Sequence, residues 1–333
     1  MIDPSTPELG FRAAEHSAVV SNATGLAVLR IEGDDAATFL QGQLSSDVAA
    51  LAADMAQWSS YNSPKGRMLA NLRLWRDSEG FGALTSADLA AAIRKRLAMF
   101  VLRAKVRIDD LSSTHNVLGV GGPDAASAVA KRFAIPPIAD GVVTCAETRA
   151  TIVGLGKRRF ALVTDAAGDA AVQTDLAEAA TPVGGDVWRW LAIDAGVPLV
   201  TVPTSDQFIP QMLNWDALDG ISFQKGCYPG QEIVARMRYL GRLKERLYGF
   251  RVTAPREPSV GARVYGAKFG EIPCGTVVNA APSPDGGHAL LAVVQVSAIE
   301  GSGLALDGID GPALVRVPLP YTVADATPAR PLG

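Results

Sequence analysis

QFIPQMLNWDALDGISFQKGCYPGQEIVAR, from Gln207 to Arg236, is the stretch on which the reading of this chain turns. Within it, Ile221-Ser222-Phe223 is apolar and predicts a short strand. Gly226 and Gly230 then permit backbone shapes or close approaches that side chains forbid. Pro229-Gly230 signals a turn. Gln231-Glu232 opens a helix with Ile233, Val234, Met237 and Leu240 as its apolar positions, and Gly241 ends it. Cys227 therefore sits just ahead of a helix N-terminus and two residues after Lys225. Both neighbours stabilise negative charge, so an activated thiolate is expected. The competing expectation is a buried structural cysteine.

Glu232 can cap the helix and pair with Arg236 one turn on, or it can accept hydrogen bonds from a ligand in a cavity. Arg236, Arg238, Arg242, Lys244 and Arg246 form a cationic run. Such a run is either a solvated helix face or a funnel for an anionic ligand or an RNA phosphate.

Upstream, Leu26 to Ile31 predicts a strand, and Gly33-Asp34-Asp35 opens a helix through Phe39 and Leu40. Met68 to Trp75 alternates like a half-buried strand, and a helix is expected from Ser86 to about Val101. The middle of the chain reads as strand (Asn116 to Val120), helix (Pro123 to Phe133), two strands (Ala150 to Leu155, Phe160 to Thr164) and helix (Ala166 to Ala180). That order suggests a ferredoxin-like inserted domain, with Thr181 to Asp186 as the linker out of it. Gly119-Val120-Gly121-Gly122 lacks GxGxxG spacing and reads as a strand-to-helix turn rather than a phosphate loop. A helix follows at Val187 to Ala195. Beyond it, strands at Leu247 to Val252, Thr276 to Asn279, Ala289 to Val296 and Ala313 to Val317, with a hairpin turn at Pro284-Asp285-Gly286-Gly287, predict a small antiparallel barrel or sandwich.

The composition fits a multi-domain globular chain. It has 333 residues, 48% hydrophobic and 20% charged, with a net charge of −3. A chain that wraps nucleic acid is usually basic overall, so any cationic surface here must be local. Three cysteines (Cys145, Cys227, Cys274) without CxxC spacing and three scattered histidines argue against a disulfide framework and a classical zinc site, and no metal is expected. The opening MIDPSTPELG does not read as a signal peptide and no run reaches membrane length, so no membrane contact and a cytoplasmic location are expected.

The Gln207 to Arg236 stretch resembles the YgfZ family, which is related to the T-protein of the glycine cleavage system. Phe39-Leu40-Gln41-Gly42-Gln43-Leu44 with Asp47-Val48 looks like that family's FLQGQ element. Lys65-Gly66-Arg67 with Asn71-Leu72-Arg73-Leu74 looks like its KGxxxxNLRL strand, and Pro318-Leu319-Pro320-Tyr321 resembles its closing strand. The resemblance implies an α+β, three-domain cloverleaf like the glycine cleavage T-protein, with a ferredoxin-like middle domain and a C-terminal β-barrel. The implied segments are a discontinuous folate-binding domain at 1–112 and 186–245, a ferredoxin-like domain at 113–185 and a barrel at 246–333. The resemblance also implies tetrahydrofolate, or a derivative, as bound ligand in a central channel, and a link to iron–sulfur proteins such as tRNA-modifying enzymes. Cys227 is then the reactive residue. Trp188 is the match to one family tryptophan near the folate, while the other falls on Leu26. With the pterin against aromatic and apolar walls, Asn214, Gln231 and Glu232 are expected as polar partners, and Lys225, Tyr228 and Arg236 as further contacts. The alternative activity is a folate-dependent one-carbon transferase of the aminomethyl type. The T-protein's acid pair is replaced here by Ala70-Asn71, and a neutral amide has no comparable acid–base role.

Overall fold

The computed structural model describes residues 7–23, 25–135, 141–145, 150–156, 158–165, 167–301 and 303–323. Three sheets carry the chain. The first is antiparallel, in the spatial order Ala56–Asn62, Met68–Arg76, Phe81–Ser86, Leu26–Glu32, Arg107–Asp110. Two polar positions inside Met68–Arg76 do not face solvent: Asn71 and Arg73 are each 2% exposed. The alternation that predicts a half-buried strand instead marks one face toward the core and one toward an internal cavity.

The middle sheet runs Thr181–Pro182, Val19–Asn22, His115–Gly121, Arg159–Asp165, Ala150–Gly154, Val142–Cys145. Thr181–Pro182, read from sequence as linker, is a strand parallel to Val19–Asn22, and Val19–Asn22 in turn lies antiparallel to His115–Gly121. Strand alternation then divides the residues. Val20, Leu118, Val120, Phe160 and Leu162 pack with Val129, Val172 and Leu176 of the helices Ala125–Phe133 and Asp169–Ala179. Gly119 and Gly121 face the other way, onto the helix Gly185–Asp194. A Cβ on Gly119 would lie 2.5 Å from the Trp188 ring, and one on Gly121 would lie 2.6 Å from Leu191. These glycines let a helix close on the sheet.

The third sheet runs Leu304–Leu306, Arg263–Gly266, Gly275–Pro282, His288–Gln295, Glu245–Val252, Leu314–Val317. A bridge between Ala305 and Ala313 brings its two edges together, so six strands form a nearly closed barrel around Phe250, Val264, Val277, Leu290 and Val294. The predicted hairpin turn joins Gly275–Pro282 to His288–Gln295. Two local expectations are corrected. The helix expected from Ser86 spans only Ala90–Ala98, because Ser86 ends a strand and its hydroxyl donates to Asp88. Ile221 to Phe223 is not a strand; it is tied down by the Ser222 N–H donating to Ser45 O at 2.8 Å.

Candidate functional site

The KGCYPGQE loop is held by two of the upstream motifs. The Lys225 side chain is 8% exposed, and its Nζ donates to the carbonyl oxygens of Gln41 (2.6 Å), Leu44 (2.7 Å) and Ser46 (2.9 Å). An ammonium has three protons, so this cage uses all of them. Gln41 shapes the cage from behind, its Oε1 accepting from Val48 N at 2.7 Å and its Nε2 donating to Asp47 at 3.0 Å. Burial pushes Lys225 down to about 8, with Asp47 pulling the other way. Gly230 is left-handed at φ 77°, and a Cβ there would lie 2.5 Å from Gly66 Cα and from Ser63 O. The Pro229-Gly230 turn therefore packs backbone to backbone on the Lys65-Gly66-Arg67 turn.

Lys225 and Tyr228 are the anchors of the loop. Tyr228 is 6% exposed, its ring lies 5.3 Å from Lys225 Nζ, and burial pushes its hydroxyl up to about 12. Between them Cys227 is exposed. The helix Gln231–Tyr239 starts as expected, with Val234 buried and Glu232, Arg236 and Arg238 exposed. No ion pair joins Glu232 to Arg236 among the described residues. Arg246 leaves the cationic run: it is 5% exposed and bound through both terminal nitrogens to Asp216 at 2.7 and 3.0 Å.

A cavity of about 580 Å³ lies where the three sheets meet. The first sheet contributes Trp58 and Arg73, the middle sheet Arg159, the helix Gly185–Asp194 contributes Trp188, and the barrel Asn279. Most polar side chains here are already engaged. Asn71 donates to Pro198 O (3.2 Å) and accepts from Val200 N (2.8 Å). Asn279 pairs with both backbone groups of Leu199 at 2.9 and 3.0 Å. Arg73 Nε donates to Gly154 O at 2.7 Å, and its guanidinium carbon lies 5.1 Å from the Trp58 ring centre. Arg159 differs. It is 3% exposed, 6.0 Å from the Trp188 ring centre, and its Nε and Nη2 have no hydrogen-bond partner among the described residues. Burial, and then repulsion from Arg73, push it down to about 10, against an opposing pull from Asp194.

The residues expected at the site thus fall in three places. Trp188 lines the cavity, as do Leu26 and Trp58. Lys225, Cys227, Tyr228, Gln231, Glu232 and Arg236 belong to the loop and its helix, outside the described lining of the cavity. Asn214 lies in neither. It is fully buried in a left-handed conformation, donates to Leu247 O at 3.0 Å and accepts from Arg246 at 3.2 Å, which knots the 207–220 segment to the first barrel strand. Sequence reasoning missed Arg159. The available signal was an arginine in register with Ala161 and Val163, the inward face of a strand. Among the described residues, no group of three or more His, Cys, Asp or Glu side chains is placed to hold a metal ion. No helix there is long and apolar enough to cross a membrane.

Three sheets around a shared cavity define a T-protein-like fold. The chain superposes on the glycine cleavage system aminomethyltransferase T from Bartonella henselae with a TM-score of 0.75, covering 95% of this chain and 89% of that one at 18% identity. No family model matches the chain. It is 35% identical over 302 residues to the tRNA-modifying protein YgfZ of Serratia proteamaculans (strain 568), covering 90% of this chain and 91% of that protein. It is 36% identical over 303 residues to the tRNA-modifying protein YgfZ of Enterobacter sp. (strain 638), covering 90% and 92%. The chain belongs to the YgfZ family.

Proposed function

We propose that this protein binds a reduced folate in the central cavity and supports cytoplasmic iron–sulfur enzymes, including those that modify tRNA, with Cys227 as its reactive group. The observation that carries the ligand reading is the cavity itself. Its volume of about 580 Å³ lies within the roughly 300–1,000 Å³ of small-molecule sites, and Trp58 and Trp188 offer flat apolar contacts to a ring. Those two tryptophans and Arg159 would hold the ligand. A reduced folate would supply a one-carbon carrier there.

The Cys227 reading has different support. The loop is held by two buried anchors, one of them caged by the carbonyls of Gln41, Leu44 and Ser46, yet it leaves the Cys227 thiol exposed. Aminomethyl transfer is disfavoured because the Asn71 amide is hydrogen-bonded at both ends to the 198–200 backbone. The ligand site and the thiol are therefore separable. Titration calorimetry with tetrahydrofolate, 5-formyl- and 5,10-methylene-tetrahydrofolate on wild type and Cys227→Ala tests this, paired with an assay of a cluster-dependent tRNA-modifying enzyme. Equal folate affinity with lost support is the expected result. Absence of folate binding at high micromolar concentration rejects the ligand reading, and full support by Cys227→Ala rejects the thiol.

A further inference from the structure

We infer that Arg159 is a carboxylate seat within the central cavity, so that the ligand binds there through an acidic group as well as through a flat ring. The inference deepens the folate reading and rests on it for the identity of the ligand. Nε and Nη2 form the side-on fork of a guanidinium, the edge that pairs with two oxygens of a carboxylate. In Arg159 both lack a partner among the described residues, although the side chain is 3% exposed and lines the cavity. Buried charges are normally paired, and an unmatched one carries a large desolvation penalty.

The described residues around it do not supply the missing anion. Arg73, the second arginine of the lining, has the same sign and weakens the Arg159 charge. Arg189 is matched by Glu257 at 2.6 Å and Asp186 at 2.7 Å. Asp88 accepts from Ser86 and from Val202 N. Asp194 favours the charged form of Arg159 but makes no ion pair with it within 4.0 Å among the described residues. Asn71 and Asn279 are occupied by backbone. A ligand carboxylate would complete the fork and offset the repulsion between the two arginines. In a folate the pterin ring is uncharged and the acidic groups lie on the glutamate tail, so the tail is the part that Arg159 selects.

The test uses three probes on the full chain: tetrahydrofolate, p-aminobenzoylglutamate (tail without pterin) and 6-methyltetrahydropterin (pterin without carboxylate). Binding is measured by calorimetry for wild type, Arg159→Gln and Arg159→Lys. Charged hydrogen bonds of this kind are worth roughly ten- to a hundredfold in affinity. Arg159→Gln should weaken both carboxylate-bearing probes by at least tenfold and leave the tail-free pterin unchanged. Arg159→Lys keeps the charge without the fork and should fall between the two, which holds even if the glutamine variant folds poorly. Equal weakening of 6-methyltetrahydropterin, or no change with either variant, overturns the seat while leaving folate binding intact. Wild type that takes up p-aminobenzoylglutamate but neither pterin-bearing probe sinks the folate reading and keeps the seat. Wild type that binds none of the three refutes both.

Discussion

Replacing Lys225 with methionine removes the ammonium and keeps most of the apolar stem. The carbonyls of Gln41, Leu44 and Ser46 then lose donors at 2.6, 2.7 and 2.9 Å. An orphaned buried acceptor costs about 1–3 kcal/mol, so three sum to about 3–9 kcal/mol. Against this stands the desolvation of the ammonium, which the variant no longer suffers. The fall from 10.5 to about 8 corresponds to about 3 kcal/mol. The net expectation is a loss of about 3 kcal/mol, confined to the cage and the loop. Hydrogen exchange followed by mass spectrometry reads it locally: segments 41–48 and 225–232 should exchange about a hundredfold faster, while the barrel strand His288–Gln295 stays protected. Lys225→Arg should not restore protection, because a planar fork cannot reach three converging oxygens as a compact ammonium does. Unchanged exchange in both segments of Lys225→Met would refute the cage as a source of stability.

Four other outcomes follow from single contacts. Gly230→Ala should lower the melting temperature, because its left-handed φ of 77° and the 2.5 Å approach to Gly66 leave no room, whereas Gly226→Ala, with nothing within 4 Å of its added Cβ, should melt like wild type. Gly119→Ala forces the Trp188 ring to move, so tryptophan emission and folate affinity should change together. Trp188→Ala should cost about 3–5 kcal/mol in urea denaturation, as for other buried tryptophans. Asp77 supplies a pH dependence. Burial raises its pKa, but hydrogen bonds from Arg30 and from the backbone of Glu79 and Gly80 outweigh that and hold it below the ordinary 3.8. A depressed carboxylate stabilises the fold fully above its unfolded value and loses that contribution as pH falls through the folded one. Asp77→Asn should therefore narrow the difference in melting temperature between pH 7 and acid below 3.8, measured by calorimetry.

Much of this fold is legible in the chain, and the parts that are not share a physical cause. Leu26–Glu32, Met68–Arg76 and Gln231–Tyr239 are long enough for periodicity and turn residues to mark them. Val19–Asn22 and Thr181–Pro182 span only a few residues, and nothing local distinguishes them; Thr181–Pro182 is a strand because Val19–Asn22 is there to pair with, and Val19–Asn22 because it lies between Thr181–Pro182 and His115–Gly121. Ile221 to Phe223 has strand composition without a partner strand. At the site, the turn before the helix is local and can be read, while the Lys225 cage joins residues 179 to 184 positions apart and cannot. Lys225 therefore reads as an activator of its neighbour Cys227, although its protons are directed to distant carbonyls. Arg159 lies one residue outside the strand read at Phe160 to Thr164, and its surroundings exist only once three sheets close around it.

The span of the Lys225 cage also sets a clock on the ribosome. Ser46 leaves the exit tunnel 179 residues before the side chain that satisfies its carbonyl. At about 5–20 residues per second, the 41–46 turn waits roughly 10–35 s with its acceptors open to water. The cage of the 41–46 turn thus stays incomplete until the loop arrives late in synthesis, and a nascent chain halted before Lys225 should be a client for holding chaperones. Release of that chain should coincide with emergence of the same eight residues that present Cys227.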